Sequence, residues 1–473
     1  MNSQKVLSLA LSVAMLNAYA MPISAAERIV VANGETYSVT NEEIVGLNNP
    51  DQWGGAIFNS DGTLKVENSA FNNNIGYSGG AITASTKSTN ETNIVNSHFE
   101  NNHAVYDGGA IGNFSAMTIS GSKFIGNTAQ LTADSNGEYT VVSDDTTSVG
   151  GGAISFGAVS SSKVASISDT LFQNNASGHD GGAIATRNAK HANNSAATLD
   201  ISATFDGNKA YDNGGAIYNS FYANNGLGKG DGVTVTGKFT NNQAGISGGA
   251  IYNDGTADKG GNPGGVMTIA NAEFTGNNAA SRGGAIYNSG TLSVDNATFK
   301  ANTAFEGGAI FSAGKNDYKT NADLAVTTIS NSSFTNNTLT AADAGGAVVA
   351  GRNSKVVISN SIFDSNKVEG SKGWGGAINS YASADDSRGH SKGGMLDISD
   401  SVFTNNEAAA VGAVGIFSEA NLKNLHFENN KATDAADDGG GAVFLGSVSK
   451  TAMENVTFAN NTSAATGGAI SMR

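Results

Sequence analysis

The chain has 473 residues, of which 62 are glycine, three are proline and none is cysteine, and 26 basic against 41 acidic side chains give a formal net charge of -15. Without cysteine there is no disulfide framework, no Cys-ligated zinc or iron-sulfur cluster and no thiol nucleophile. The acidic balance argues against nucleic acid or an anionic membrane as the main partner, since both reward a basic surface.

At the N-terminus, Lys5 precedes an apolar run from Val6 to Leu16, and two small-residue sites follow, Ala18-Tyr19-Ala20 and Ser24-Ala25-Ala26. Charge, apolar core and A-x-A site in that order predict a cleaved secretory signal over residues 1–26, with cleavage after Ala20 or Ala26. The apolar core is too short to cross about 30 Å of hydrocarbon. No later segment is apolar over about 18 residues, so no transmembrane helix is expected in the rest of the chain. Residues 27–53 are expected to form an N-terminal cap region.

From Gly54 onward the chain repeats itself. GGA followed by Ile or Val starts at Gly54, Gly79, Gly108, Gly151, Gly181, Gly214, Gly248, Gly283, Gly307, Gly345, Gly375, Gly440 and Gly467, with a degenerate copy at Val411-Gly412-Ala413-Val414. Between these copies lies Phe-x-x-Asn, starting at Phe71, Phe99, Phe124, Phe172, Phe205, Phe239, Phe274, Phe299, Phe334, Phe363, Phe403, Phe427 and Phe458. An apolar residue usually sits five before the Phe, as Val66, Ile94, Ile119 and Val294 do, and often another two positions earlier, as Leu64, Met117 and Leu292 do. Alternation at period two marks strands with one buried face, and no 3.6-residue period is sustained.

The shortest unit, Gly283 to Gly307, is 24 residues. A repeat of that size, made of short strands without a helix, predicts an all-β fold: a parallel β-helix over residues 54–473 with about 13 turns stacked roughly 4.8 Å apart. The general preference for right-handed parallel connections makes it right-handed. In such a solenoid the Phe positions stack into an aromatic ladder, and Ile57, Ile82, Ile286 and their equivalents stack into an aliphatic one. The paired glycines suit a corner where a Cβ would clash or φ must be positive. The Asn of Phe-x-x-Asn is expected to take a left-handed corner and to hydrogen-bond the Asn above and below. A Gly-, Asn- and Ser-rich chain also invites a disordered reading, but disorder would not hold Phe, Ile and Val in phase through thirteen units.

The alternating tetrapeptides resemble the repeats of the polymorphic outer membrane protein family, the chlamydial autotransporter adhesins and related bacterial surface proteins. The resemblance covers Gly54 to Ile470. It implies a secreted passenger folded as a right-handed β-helix, displayed on the cell surface or outer membrane, and used to adhere to host cells. The family links its two tetrapeptides to adhesion, which here points to Gly54, Gly55, Ala56 and Ile57, to Phe71 and Asn74, and to later copies such as Gly283, Gly284, Ala285, Ile286, Phe299 and Asn302. Their composition already explains these residues as scaffold, so an effect of mutating them on adhesion is expected to be indirect. Family members usually carry a C-terminal outer-membrane barrel, whereas Arg473 follows a complete GGAI by three residues. A truncated product or a secreted form is therefore expected.

Insertions are uneven. From GGA to the next Phe the step is 16 residues at Gly283, but 24, 25, 26, 27 and 28 at Gly181, Gly214, Gly248, Gly307 and Gly375. The extra residues fall around 190–196, 221–231, 254–264, 313–323 and 381–393, and stacking would bring them to one side. They carry Lys190, His191, Lys229, Lys259, Lys315, Tyr318, Lys319, Arg388, His390 and Lys392 on an otherwise acidic chain. Variable loops on a rigid scaffold are where binding usually resides, so these are the candidate contacts with a host cell-surface protein or glycan. Ordinary tolerated loop growth is the plainer reading. An acidic insertion over residues 130–149, with Asp134, Glu138, Asp144 and Asp145, is expected on another side.

An enzyme is the alternative, because parallel β-helices also serve as polysaccharide lyases and glycosidases. Asp107, Asp180, Asp212 and Glu306 lie one or two residues before a GGA, and stacked turns can bring carboxyls within the roughly 5 to 9.5 Å that glycosidases use. Ser78, Ser247, Arg282 and Trp374 occupy the same kind of position, which reads as a variable exposed site. His98, His103, His179, His191, His390 and His426 lack zinc-site spacing. The glycines lack the GGxGxD frame of calcium repeats and the Lys and Ser/Thr of a phosphate loop, so no cofactor is expected. Trp53 and Trp374 suit packing before sugar stacking. The sequence thus predicts a non-enzymatic, exported adhesin-like rod, with a carbohydrate-active β-helix enzyme or a purely structural surface rod as alternatives.

Overall fold

The computed structural model describes residues 22–23, 27–85, 91–133, 139–141, 150–157, 165–186, 198–220, 232–255, 265–314, 324–340, 345–370, 373–382, 384–386, 389–391, 393–435 and 439–473. Among them there is no helix.

One rung illustrates how sequence becomes coil. Gly54-Gly55 turn a corner into the strand Ile57–Asn59, and the chain then runs through Thr63–Glu67, where Leu64 and Val66 point inward and the alternate residues outward. Asn68, in the left-handed region at φ 51°, bends it into Ala70–Asn72, and Asn73 at φ 55° turns the next corner into Ile75–Ser78. The following rung repeats this path in parallel register: Ile57 pairs with Ile82, Leu64 with Thr92, Phe71 with Phe99 and Ile75 with His103. Three sheets result, here termed the GGA sheet, the Phe sheet and the short sheet, and they wrap one continuous apolar core. The protein is a right-handed parallel β-helix.

The GGA sheet holds 15 strands, from Ile29–Val31 to Ile470–Met472. Fifteen rungs at roughly 4.8 Å make a rod about 70 Å long. The expectation of about 13 turns counted only intact tetrapeptides. Residues 27–53 add a rung that has neither motif but places Ile29 against Ile57 and Ile44 against Phe71. The degenerate Val411-Gly412-Ala413-Val414 adds the other, with Val414 between Ile378 and Val443. Pro22–Ile23, inside the expected signal segment, pairs with Glu43–Val45.

Two ladders hold the rungs together. Thirteen Phe rings, Phe71 through Phe458, stack with centroids 4.7 to 5.3 Å apart and planes within 12° of parallel. Beside them runs an asparagine ladder. The backbone N–H and the Nδ2 of Asn277 both donate to Oδ1 of Asn302, at 3.0 and 2.9 Å. Asn302 in turn donates to Oδ1 of Asn337 and to the carbonyl of Phe274. The same pattern links Asn74, Asn102, Asn127, Asn175, Asn208 and Asn242 below, and Asn366, Asn406, Asn430 and Asn461 above. Each amide from Asn102 to Asn430 has two accepted and two donated bonds, which satisfies a polar group that is otherwise costly to bury.

The left-handed residue is not the ladder Asn but the one before it. Asn73, Asn101, Asn174, Asn241, Asn336 and Asn405 take positive φ, and Gly126, Gly207 and Gly276 replace them in other rungs. The ladder residue must keep an ordinary backbone because its side chain has to lie along the rod axis. The motif glycines are forced more directly. A Cβ on Gly283, at φ 67°, would lie 2.2 Å from the Ile286 carbonyl oxygen, and one on Gly284 would lie 2.1 Å from that of Gly308.

Adjacent residues should therefore respond in opposite senses. Ala301 takes φ 53° where most rungs have Asn or Gly, a conformation costing L-residues roughly 1–2 kcal/mol, so Ala301→Asn should stabilise the chain by roughly 0.5–1 kcal/mol. Asn302→Ala orphans the two donors of Asn277 and should cost roughly 2–4 kcal/mol. Urea unfolding of the two variants beside the parent checks both signs.

Candidate functional site

The structure separates the two groups of residues that the sequence singled out. Ala56, Ile57, Phe71, Asn74, Ala285, Ile286, Phe299 and Asn302 are all fully buried, so the tetrapeptides build the core and corner rather than a contact surface. Lys190, His191, Lys229, Lys259, Lys315, Tyr318, Lys319, Arg388 and Lys392 lie outside the described residues. His390 is described in its backbone alone, in an antiparallel pair of Ala384–Asp386 with Gly389–Ser391 that sets it opposite Asp385.

The roots of the five long insertions are described. Each follows a three-residue strand of the GGA sheet, namely Ile184–Thr186, Ile217–Asn219, Ile251–Asn253, Ile310–Ser312 and Ile378–Ser380, and each precedes a strand of the Phe sheet. They leave the rod at one edge. The acidic insertion leaves elsewhere: it follows Thr128–Ala129 of the short sheet and includes the antiparallel pair Leu131–Ala133 and Tyr139–Val141.

Between that edge and the GGA corner, the outer face of the GGA sheet carries a polar and aromatic strip. Tyr218, Tyr252, Tyr287 and Phe311 occupy one position in successive rungs and stack at 5.3, 4.7 and 5.6 Å. Burial raises the phenol pKa of all three tyrosines, helped at Tyr218 by Asp254, which accepts its hydroxyl at 3.1 Å. They stay protonated donors at any ordinary pH.

The carboxylates that precede GGA are each held by a neighbour. Asp107 is buried and accepts from the hydroxyls of Ser78 and Ser155. Asp180 accepts from the backbone N–H and Nδ2 of Asn213, both at 3.0 Å, yet burial outweighs these bonds and pushes its carboxyl up to about 7. Asp212 bonds Nδ1 of His179 at 2.9 Å, while Nε2 of that ring is buried without a partner. Glu306 receives Nε of Arg282 and the hydroxyl of Tyr381, both at 2.6 Å. Trp374 packs on Phe417 and Phe444, whereas Trp53 is 44% exposed beside Tyr77 and Phe114. Among the described residues no group of three or more His, Asp or Glu side chains is placed to hold a metal ion, and no helix is long and apolar enough to cross a membrane.

The sequence marks Arg282 and Glu306 but not their meeting with Tyr381, because Tyr381 lies 75 residues beyond Glu306. A second buried polar ladder on the GGA sheet was also missed. There Thr186 donates to Asn219, Asn219 to Asn253, Asn253 to Asn288, and Asn288 to Thr327. The recurring I-Y-N at Ile217, Ile251 and Ile286 was the available signal.

Fold and repeat together define the class: a repeat-built, parallel β-helical protein. Residues 169–187, 202–220, 237–254, 271–289 and 455–472 match the Chlamydia polymorphic membrane protein repeat. Each match runs from just before a ladder Phe, through the Asn corner, to the strand after GGA. No curated protein matches the chain. A solved structure described as a PL6 family alginate lyase, AlyGC, aligns over 96% of this chain and 98% of its own at 10% identity, with a TM-score of 0.16, too low to relate the two folds.

The raised carboxyl of Asp180 has a measurable consequence. Unfolded, it titrates near 3.8; folded, near 7. Between those values the folded chain keeps a proton that the unfolded chain has released, so this group's contribution to stability falls as pH rises through the window and levels off above it. Asp180→Asn keeps an acceptor for Asn213 and removes the titration. Urea unfolding of both proteins at pH 5 and pH 8 should show the parent losing stability relative to the variant on going to the higher pH. A gap that does not change with pH would contradict the assignment.

Proposed function

We propose that the chain is the adhesin-like passenger of a bacterial surface protein, exported by its N-terminal signal across the inner membrane, displayed at the cell surface or outer membrane or released outside the cell, and binding host cells or matrix non-covalently. The observation that carries this reading is the rooting of all five long, Lys-, Arg- and His-containing insertions at one edge of a rod whose repeat motifs are consumed by the core. A rigid solenoid that varies its loops along one edge presents many weak contacts side by side, and linked contacts gain avidity over any one of them. The polymorphic membrane protein repeats support the surface setting. The partner on this reading is a host cell-surface protein or glycan, and no bond is made or broken.

A second reading, a carbohydrate-active β-helix enzyme, is favoured by one observation: the carboxyl of Asp180 titrates near 7, as a general acid requires, with Asp212 following on the next rung.

The test is binding of the purified, fluorescently labelled chain to epithelial cells, beside a variant whose five insertions are cut back to the 24-residue unit of Gly283 to Gly307. Binding by the parent and at least a tenfold loss in the trimmed variant, with its β circular-dichroism spectrum intact, is the expected result. Equal binding by both would remove the loop edge from the account, and binding by neither would remove the adhesin reading.

A further inference from the structure

The turns between the GGA sheet and the Phe sheet differ in length from rung to rung, and one place stands out. In the rung of Gly345 the turn is short, running from Val348–Ala350 through Gly351, Arg352 and Asn353 to Ser354–Ser359. The rungs on either side carry the two longest insertions, after Gly314 and after Ala382. Beside this short turn the structure has a cavity, here termed the notch, of about 310 Å³, lined by Arg282, Tyr287, Phe311, Arg352 and Tyr381 with Ala313 and Gly314. That volume is at the small end for ligand sites and suits one sugar ring.

The lining is organised around Glu306. One of its oxygens takes Nε of Arg282 and the other the hydroxyl of Tyr381, which fixes both side chains at the cavity wall. The guanidinium also lies over the Phe311 ring, 5.0 Å from its centroid, and Tyr381 meets Phe311 edge-on at 6.1 Å. Because Glu306 engages only Nε, the two terminal nitrogens of Arg282 remain as a donor fork with no partner among the described residues. Arg352 is exposed, and its guanidinium has no partner among the described residues either.

Among the described residues, Arg282 and Arg352 against Glu306 leave one net positive charge at the notch, on a chain whose net charge is -15. A planar fork of donors matches a carboxylate, and the ring of Tyr381, which no aromatic ring stacks face to face among the described residues, offers apolar surface, while Tyr287, stacked on both faces by Tyr252 and Phe311, lines the wall with its edge. One excess charge suits a ligand with one carboxylate better than a densely sulfated polymer, which a strongly basic groove would be needed to hold.

We propose that this notch binds a single carboxylated pyranose, a uronate or a sialate, within an acidic glycan: the carboxylate lies on Arg282 and Arg352, and the ring packs against Tyr381 beside the edge of Tyr287. The proposal rests on the recognition role put forward above and names the ligand chemistry of one site along the rod.

Isothermal titration of the purified full chain with sialyllactose, with trigalacturonate and with lactose tests it without cells, so failure here is read separately from failure of cell binding. Binding of at least one acidic sugar, none of lactose, and at least tenfold weaker binding in Arg352→Gln with unchanged thermal unfolding is the expected result. Which acidic sugar binds identifies the source of the carboxylate. Arg282→Lys, which keeps the charge and loses the fork, should weaken binding as well. No binding of either acidic sugar, equal binding of lactose, or full affinity in both variants would overturn the proposal.

Discussion

The bond on which the rest of this structure depends is the one from a backbone N–H at a buried corner to the side-chain oxygen of the asparagine one rung above. A coil that turns three corners per rung takes backbone groups out of the sheets and must satisfy them without water, since each one left unmade costs roughly 1–3 kcal/mol. The ladder Asn does this twice over, accepting from the corner N–H and the Nδ2 below it while donating to the next Asn and to a Phe carbonyl. The solution works only if every rung has the same residue at the same place. That explains why Phe-x-x-Asn recurs unbroken through thirteen units while the lengths between copies vary. The stacked Phe rings follow from the same register: three residues before the Asn, they are held at the rung spacing whatever lies elsewhere in the rung.

Because the corner and the core restore register at each turn, an insertion on the edge between the GGA and Phe sheets does not propagate. Ile251 and Ile286 pair directly although 35 residues separate them, as do Ile286 and Ile310 at 24. Loop-closure cost grows only slowly with length, so that edge is free to diversify. The motifs named by the family resemblance are then the condition for displaying a variable edge. Changing them would act on recognition through folding, since they are buried.

Much of this was legible in the sequence. The Phe, Ile and Asn ladders follow from residues recurring in phase, a signal that survives irregular spacing. Other features were not. The place before a GGA was misread as an exposed, variable site: Ser78, Asp107 and Ser247 are buried there and Trp374 packs on Phe417 and Phe444, because the neighbouring rungs cover this corner. The left-handed residue is Asn73 and not Asn74, since sequence marks both as tolerant and only the side chain's direction along the axis separates them. The rung of residues 27–53 carries no tetrapeptide, and only its pairing with the next rung reveals it. The Arg282, Glu306 and Tyr381 cluster joins three rungs that are distant in the chain, and no local spacing encodes that meeting.

The most direct test of the asparagine ladder as the element that holds the coil is hydrogen–deuterium exchange, read by mass spectrometry on peptides covering Phe71–Asn74, Phe299–Asn302 and the copies between and beyond them. If the ladder closes these corners, their amides exchange as slowly as those of the central strands, and only on global unfolding. Exchange of the corner peptides within minutes, while the strand peptides stay protected, would contradict it.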